Sequence, residues 1–183
     1  MKNDPSSAGV KLVTSIIYRE RAQLEKTEAL LTDLFGPAED LRFFSDFDYT
    51  DYYQDEFGGP LERVILAYRD LVPLEKAHIA KLKTNKMERE MAKLSRRTVN
   101  IDPGYVTKAK LVLFTTKDYS HRIYAGDGIF AECTLFFQNG VFNKWPWTYP
   151  DYASGPIRGY FGKIRDIYAK DLYRSRAGEA AAK

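Results

Sequence analysis

The spacing of apolar residues switches between two periods along the first half of the chain, and that switching decides the fold class. Lys11–Tyr18 is dense in β-branched residues and reads as a strand. Arg19–Phe35 carries Leu24, Leu30, Leu31 and Leu34 along one stripe, the pattern of an amphipathic helix. Gly36-Pro37 closes it, as a terminal glycine followed by proline does. Leu41–Tyr53 alternates like a strand, and Gly58-Gly59-Pro60 turns the chain. Leu61–Leu71 then returns with Arg63, Ile65 and Ala67 on one face and Val64, Leu66 and Tyr68 on the other; a helix is the rival reading there. A second helix is expected from Pro73 or Leu74 to about Leu94, with Ala80, Met87, Met91 and Leu94 inward. Arg96–Asp102 follows as a strand stopped by Pro103-Gly104.

The order strand, helix, strand, strand, helix, strand is the split βαβ pattern of ferredoxin-like folds. Lys110–Thr116, His121–Ala125, Ile129–Gln138 and Val141–Trp145 add strands, with turns at Gly126-Asp127-Gly128 and Asn139-Gly140. A last helix is expected over Pro156–Arg174. The fold class is therefore α+β. A mostly antiparallel sheet has the βαββαβ order, an appended β-meander and a C-terminal helix, with the helices on one face. At 183 residues this is a single domain over 10–176, between a disordered N-terminus (1–9) and a flexible tail (177–183).

Composition narrows the setting. Cys133 is the only cysteine, so no intrachain disulfide or cysteine metal cage forms, and His78 and His121 are too few for a histidine-rich centre. No apolar run is long enough to span a membrane, and the first nine residues lack the apolar stretch of a secretion signal. A cytoplasmic protein is expected. The net charge of +3 does not demand a polyanionic partner. Aromatic residues make up 14%, which fits either a strand-rich core or stacking platforms.

Charge is unevenly spread. Residues 38–58 hold seven acidic side chains against Arg42 alone, and residues 73–97 form a basic helical run. Asp46 and Asp48 share a strand face roughly 7 Å apart. With Asp51 they are candidate ligands for a hard cation such as Mg²⁺, or simply a solvated face. In the second half, Asn100 and Asp102 share a face opposite Val99 and Ile101, and Glu132 stands on an otherwise apolar strand. His121 and Arg122 begin the facing strand. Asp102, His121 and Glu132 are thus candidate catalytic groups, with His121 moving protons; an ion-pair network is the alternative. Lys117, Arg122, Asn100, Trp147, Tyr149 and Asp151 are candidate ligand-binding residues. The last three come from an aromatic, proline-held segment that serves as either a lid or a stacking wall.

Thr116-Lys117-Asp118 echoes a guanine-reading segment, but no phosphate loop of the G-x-x-x-x-G-K-[ST] type occurs. No nucleophile elbow and no dinucleotide fingerprint occur either. Four blocks in order carry a resemblance: Phe47–Tyr53, Asn100–Tyr105, Thr115–Asp118 with His121–Tyr124, and Trp147–Tyr152. Through them the chain resembles the uncharacterised prokaryotic domain-of-unknown-function 4416 family. The resemblance implies a compact cytosolic protein and assigns no catalytic residue. The expectation is a polar small-molecule site for a nucleotide or phosphorylated metabolite, with metal-assisted hydrolysis or transfer as its enzymatic form. The alternatives are an RNA-binding module using two basic helices, or an adaptor without chemistry.

Overall fold

The computed structural model describes residues 9–44, 60–93 and 96–181. The Asp46, Asp48 and Asp51 set, the far part of the strand expected over Leu41–Tyr53, and Leu94 lie outside them. β1 (Val10–Tyr18) leads into α1 (Arg21–Phe35), β2 (Ala38–Phe44) and β3 (Glu62–Val72). A 3₁₀ turn at Leu74–Lys76 precedes α2 (Ile79–Met91) and β4 (Val99–Val106). β5 (Lys110–Thr115), β6 (Arg122–Gly126), β7 (Ile129–Gln138) and β8 (Val141–Lys144) follow, then α3 (Gly155–Ala181). The eight strands form one sheet in the order β2-β3-β1-β4-β5-β7-β6, with β8 also on β7. All pairings between these strands are antiparallel. The α+β class and the strand reading of β3 hold.

β1 shows why the chain folds this way. Every one of its residues is buried, so both faces of the sheet centre are covered. Leu12, Ile16 and Tyr18 pack with Val64, Leu66, Val99 and Ile101 against Leu24 and Leu31 of α1 and Ala80, Met87 and Met91 of α2. Val13, Ile65, Ala67, Leu111 and Leu135 face the other way, onto Ile157, Tyr160, Phe161 and Ile164 of α3. Each such fully buried side chain contributes roughly 1.5–3 kcal/mol. This corrects the expectation of helices on one face: the sheet lies between α1/α2 and α3. α3 also continues past Arg174 into the alanine-rich segment, whose helix propensity is high.

A second correction concerns β4, which runs through Pro103-Gly104 rather than stopping there. The amides of Ile101 and Thr107 point away from β1, and Pro103 has the same parity between them. The proline therefore lacks an N–H only on the side facing β5, and its pairing with Thr14 of β1 is kept. On that far side the β4–β5 ladder covers Gly104–Val106 only. Beyond it the two strands part, and the gap between them holds the site. The turns between β6 and β7 and between β7 and β8 place Asp127-Gly128 and Asn139-Gly140 at positive φ, as tight hairpins require.

Candidate functional site

Where β4 leaves β5, the peptide groups of Ile101 lose their ladder partner and must be satisfied otherwise. α2 supplies the replacements. Lys81 Nζ donates to the Ile101 carbonyl at 2.9 Å, and a Glu88 carboxylate oxygen accepts the Ile101 N–H. Both side chains are buried. They line a pocket of about 690 Å³, with walls from α2 and β4 on one side and from β5, β6 and the segment between β8 and α3 on the other. That volume is within the range of about 300–1,000 Å³ typical of small-molecule sites.

On the α2/β4 wall, Lys81 Nζ reaches Asp102 Oδ1 at 3.1 Å and Asn100 Nδ2 donates to Asp102 Oδ2 at 2.8 Å. Arg97 donates to Asn100 Oδ1 at 2.9 Å and stands 3.6 Å from Glu88 Oε2. Burial works to raise the Asp102 pKa, but Lys81 and Asn100 outweigh it and hold the group below its usual range. Burial wins at Glu88, whose pKa is raised against the opposing pull of Lys81, the Ile101 amide and Arg97.

The opposite wall is built by strand pairing. Arg122 of β6 stands across from Glu132 of β7, and its Nε donates to Glu132 Oε2 at 2.9 Å. Its other nitrogens donate to the Lys117 carbonyl at 3.1 Å and the Tyr149 hydroxyl at 3.2 Å, while the guanidinium lies 4.6 Å over the Tyr119 ring. Burial opposes the Arg122 charge, but Glu132 and Tyr149 more than restore it. Deeper in, Arg63 pairs with Asp151 at 2.5 Å and lies over the Tyr152 ring.

Of the residues singled out from sequence, Asn100, Asp102, Lys117, Arg122, Glu132, Tyr149 and Asp151 line this one pocket. His121 and Trp147 do not. His121 Nε2 is 3.1 Å from Glu132 Oε2, so it reaches the pocket through that carboxylate. Its ring is stacked between Tyr119 (6.1 Å between centroids) and Trp147 (5.3 Å), and Trp147 stacks in turn on Trp145 (5.1 Å). Trp147 is thus engaged by neighbouring rings, and its indole N–H donates to the Cys133 carbonyl. Among the described residues no group of three or more His, Cys, Asp and Glu side chains is arranged to hold a metal.

Sequence reasoning missed Lys81, Glu88, Arg97 and Arg63. In the sequence Lys81, Glu88 and Arg97 merge into the charge run over 73–97, yet Lys81 and Glu88 are spaced i, i+7 beside the buried Thr84 and Met91. Charge on the inward stripe of a helix was the available signal.

A family model described as Domain of unknown function (DUF4416) matches residues 8–168, a span that takes in every strand and both walls of the pocket. No curated protein and no solved structure matches the chain. Among the described residues no helix is long and apolar enough to cross a membrane.

Proposed function

The chain belongs to the DUF4416 family, and from the chemistry of the pocket we propose that it binds a small phosphorylated metabolite, a nucleotide being one such ligand. A single observation carries this reading: Arg63, Lys81, Arg97, Lys117 and Arg122 come from five different stretches of chain and line the same pocket. Phosphate oxygens accept several charge-assisted hydrogen bonds at once, and a gathering of guanidinium and ammonium groups suits them. Four carboxyl groups on the same lining offer acceptors to the hydroxyl or amine groups of the remainder of the ligand.

Binding is favoured over catalysis because the acid–base candidates are already engaged. Asp102 is held by Lys81 and Asn100, and Glu132 by Arg122 and His121. In an enzymatic form His121 would relay a proton through Glu132, and Asp46, Asp48 and Asp51 would be the source of Mg²⁺ ligands. RNA binding has less support. α2 and α3 cover opposite faces of the sheet and so do not combine into one basic surface.

Calorimetric titration of the full chain with ATP, GTP, AMP and ribose 5-phosphate, each with and without Mg²⁺, tests the reading. Saturable heat from at least one, weakened by salt, is expected. Absence of heat from all of them overturns it.

A further inference from the structure

Glu88 occupies a position that makes any anion in this pocket a competitor. Its Oε1 is fixed by the Ile101 amide, and its Oε2 faces Arg97 at 3.6 Å. Lys81 on the same helix and Asp102 on β4 complete its surroundings. Arg63, Lys117, Arg122 and Glu132 line the rest of the pocket. An anion that engages Lys81 and Arg97 brings a third negative charge to two cations that already face Glu88 and Asp102. In a wall where Glu88 is only 5% exposed, two cations do not offset three anions, and strong repulsion follows unless one of the three is neutralised.

We infer that the pocket takes up a proton together with its anionic ligand, and that Glu88 is the group that receives it. This rests on the phosphate-metabolite reading and adds its regulation by pH. The proton comes from solvent and goes to Oε2, the oxygen facing Arg97. Oε1 keeps the Ile101 amide. The new O–H turns an acceptor that repels the ligand into a donor for one of its anionic oxygens. By linkage the effect is reciprocal: the anion raises the protonation of Glu88, and lower pH tightens the anion. Burial raises the pKa of Glu88, the same direction in which an added anion pushes it.

The test is calorimetry with sulfate, which stays a dianion throughout the range where carboxyls and histidines titrate. Titrations at mildly acidic pH in buffers of different ionisation enthalpy give the protons taken up per ion bound. The wild-type chain should take up close to one, with affinity falling up to tenfold per pH unit above the Glu88 midpoint. Glu88→Gln should take up none and bind with an affinity that does not change with pH. Uptake that persists in E88Q places the proton elsewhere and overturns the assignment. Binding without uptake in the wild-type chain overturns it too, and leaves the phosphate reading standing. No heat from sulfate or from any phosphate probe removes both. Should E88Q not fold, difference infrared spectra of the wild-type chain decide, since sulfate must bring up the carbonyl band of a protonated carboxyl.

Discussion

Glu88 and Asp102 share one wall of the pocket and are pushed in opposite directions. The folded Glu88 holds its proton over a window where the unfolded chain has lost it, so its contribution to stability falls as pH rises from the ordinary glutamate range through its raised value. Asp102 behaves inversely: its contribution is present above the ordinary aspartate range and is lost as pH falls through its lowered value. Urea unfolding across this pH range should show the stability of wild type relative to Glu88→Gln declining through the first window and then levelling. Asp102→Asn should lack the acid-side loss. Glu132 is a stronger case, since its side chain is 2% exposed and that of Arg122 4%. Glu132→Ala leaves the Arg122 charge and His121 without their carboxylate, and should cost about 3–5 kcal/mol in the same measurement. These residues differ in how readable they were. A strand has period two, so polar groups on an apolar strand announce a shared face; that found Asn100, Asp102 and Glu132. Lys81 and Glu88 sit on a helix rich in charge, where the two inward charges look like the many outward ones until the buried stripe is drawn.

At the scale of elements, the pocket exists because β4 and β5 pair for three residues and then separate. Two neighbouring residues set that boundary. Pro103 removes the N–H that would extend the ladder toward β5, and Gly104 lets the strands approach closely just before they part. A Cβ on Gly104 would stand 2.2 Å from the Val112 carbonyl oxygen and 2.8 Å from a Leu113 methyl. The first of these is backbone and cannot swing aside. Gly104→Ala should therefore cost at least about 1–3 kcal/mol, the range for overpacked sites. If the strands are forced apart, it should also weaken whatever the pocket binds; thermal unfolding and calorimetry on one preparation check both. The proline-glycine pair is visible in the sequence, but its meaning is not. It reads as the end of a strand, because a sequence does not show which edge of the strand carries the missing hydrogen bond.

For the whole molecule, the question left open by sequence was which face of the sheet the last helix covers. An amphipathic stripe in α3 says that one side is buried and nothing about where. The readable sign lay in β1 and β3, which do not alternate polar with apolar residues and so ask for cover on both faces. Lys11 shows how α3 is tied to the sheet. It lies in β1, an interior strand, with its side chain fully buried. It pairs with Glu39 of β2, stands 2.6 Å from Asp171 of α3 and donates to the Arg69 carbonyl of β3 at 2.9 Å. One ammonium group thus joins three strands and α3, in the half of that helix away from the pocket. Lys11→Met keeps most of the volume but leaves Glu39 and Asp171 facing each other without the cation. We expect a loss of about 3–5 kcal/mol, the usual consequence of breaking a buried pair by removing one partner. Replacing the carboxyls as well, in Lys11→Met with Glu39→Gln and Asp171→Asn, should return much of that stability, because a buried ionic group is often matched by a neutral one of similar shape. A triple variant no more stable than Lys11→Met alone would mean that the ammonium acts through the Arg69 carbonyl and its packing, and that the two carboxylates are not what requires it.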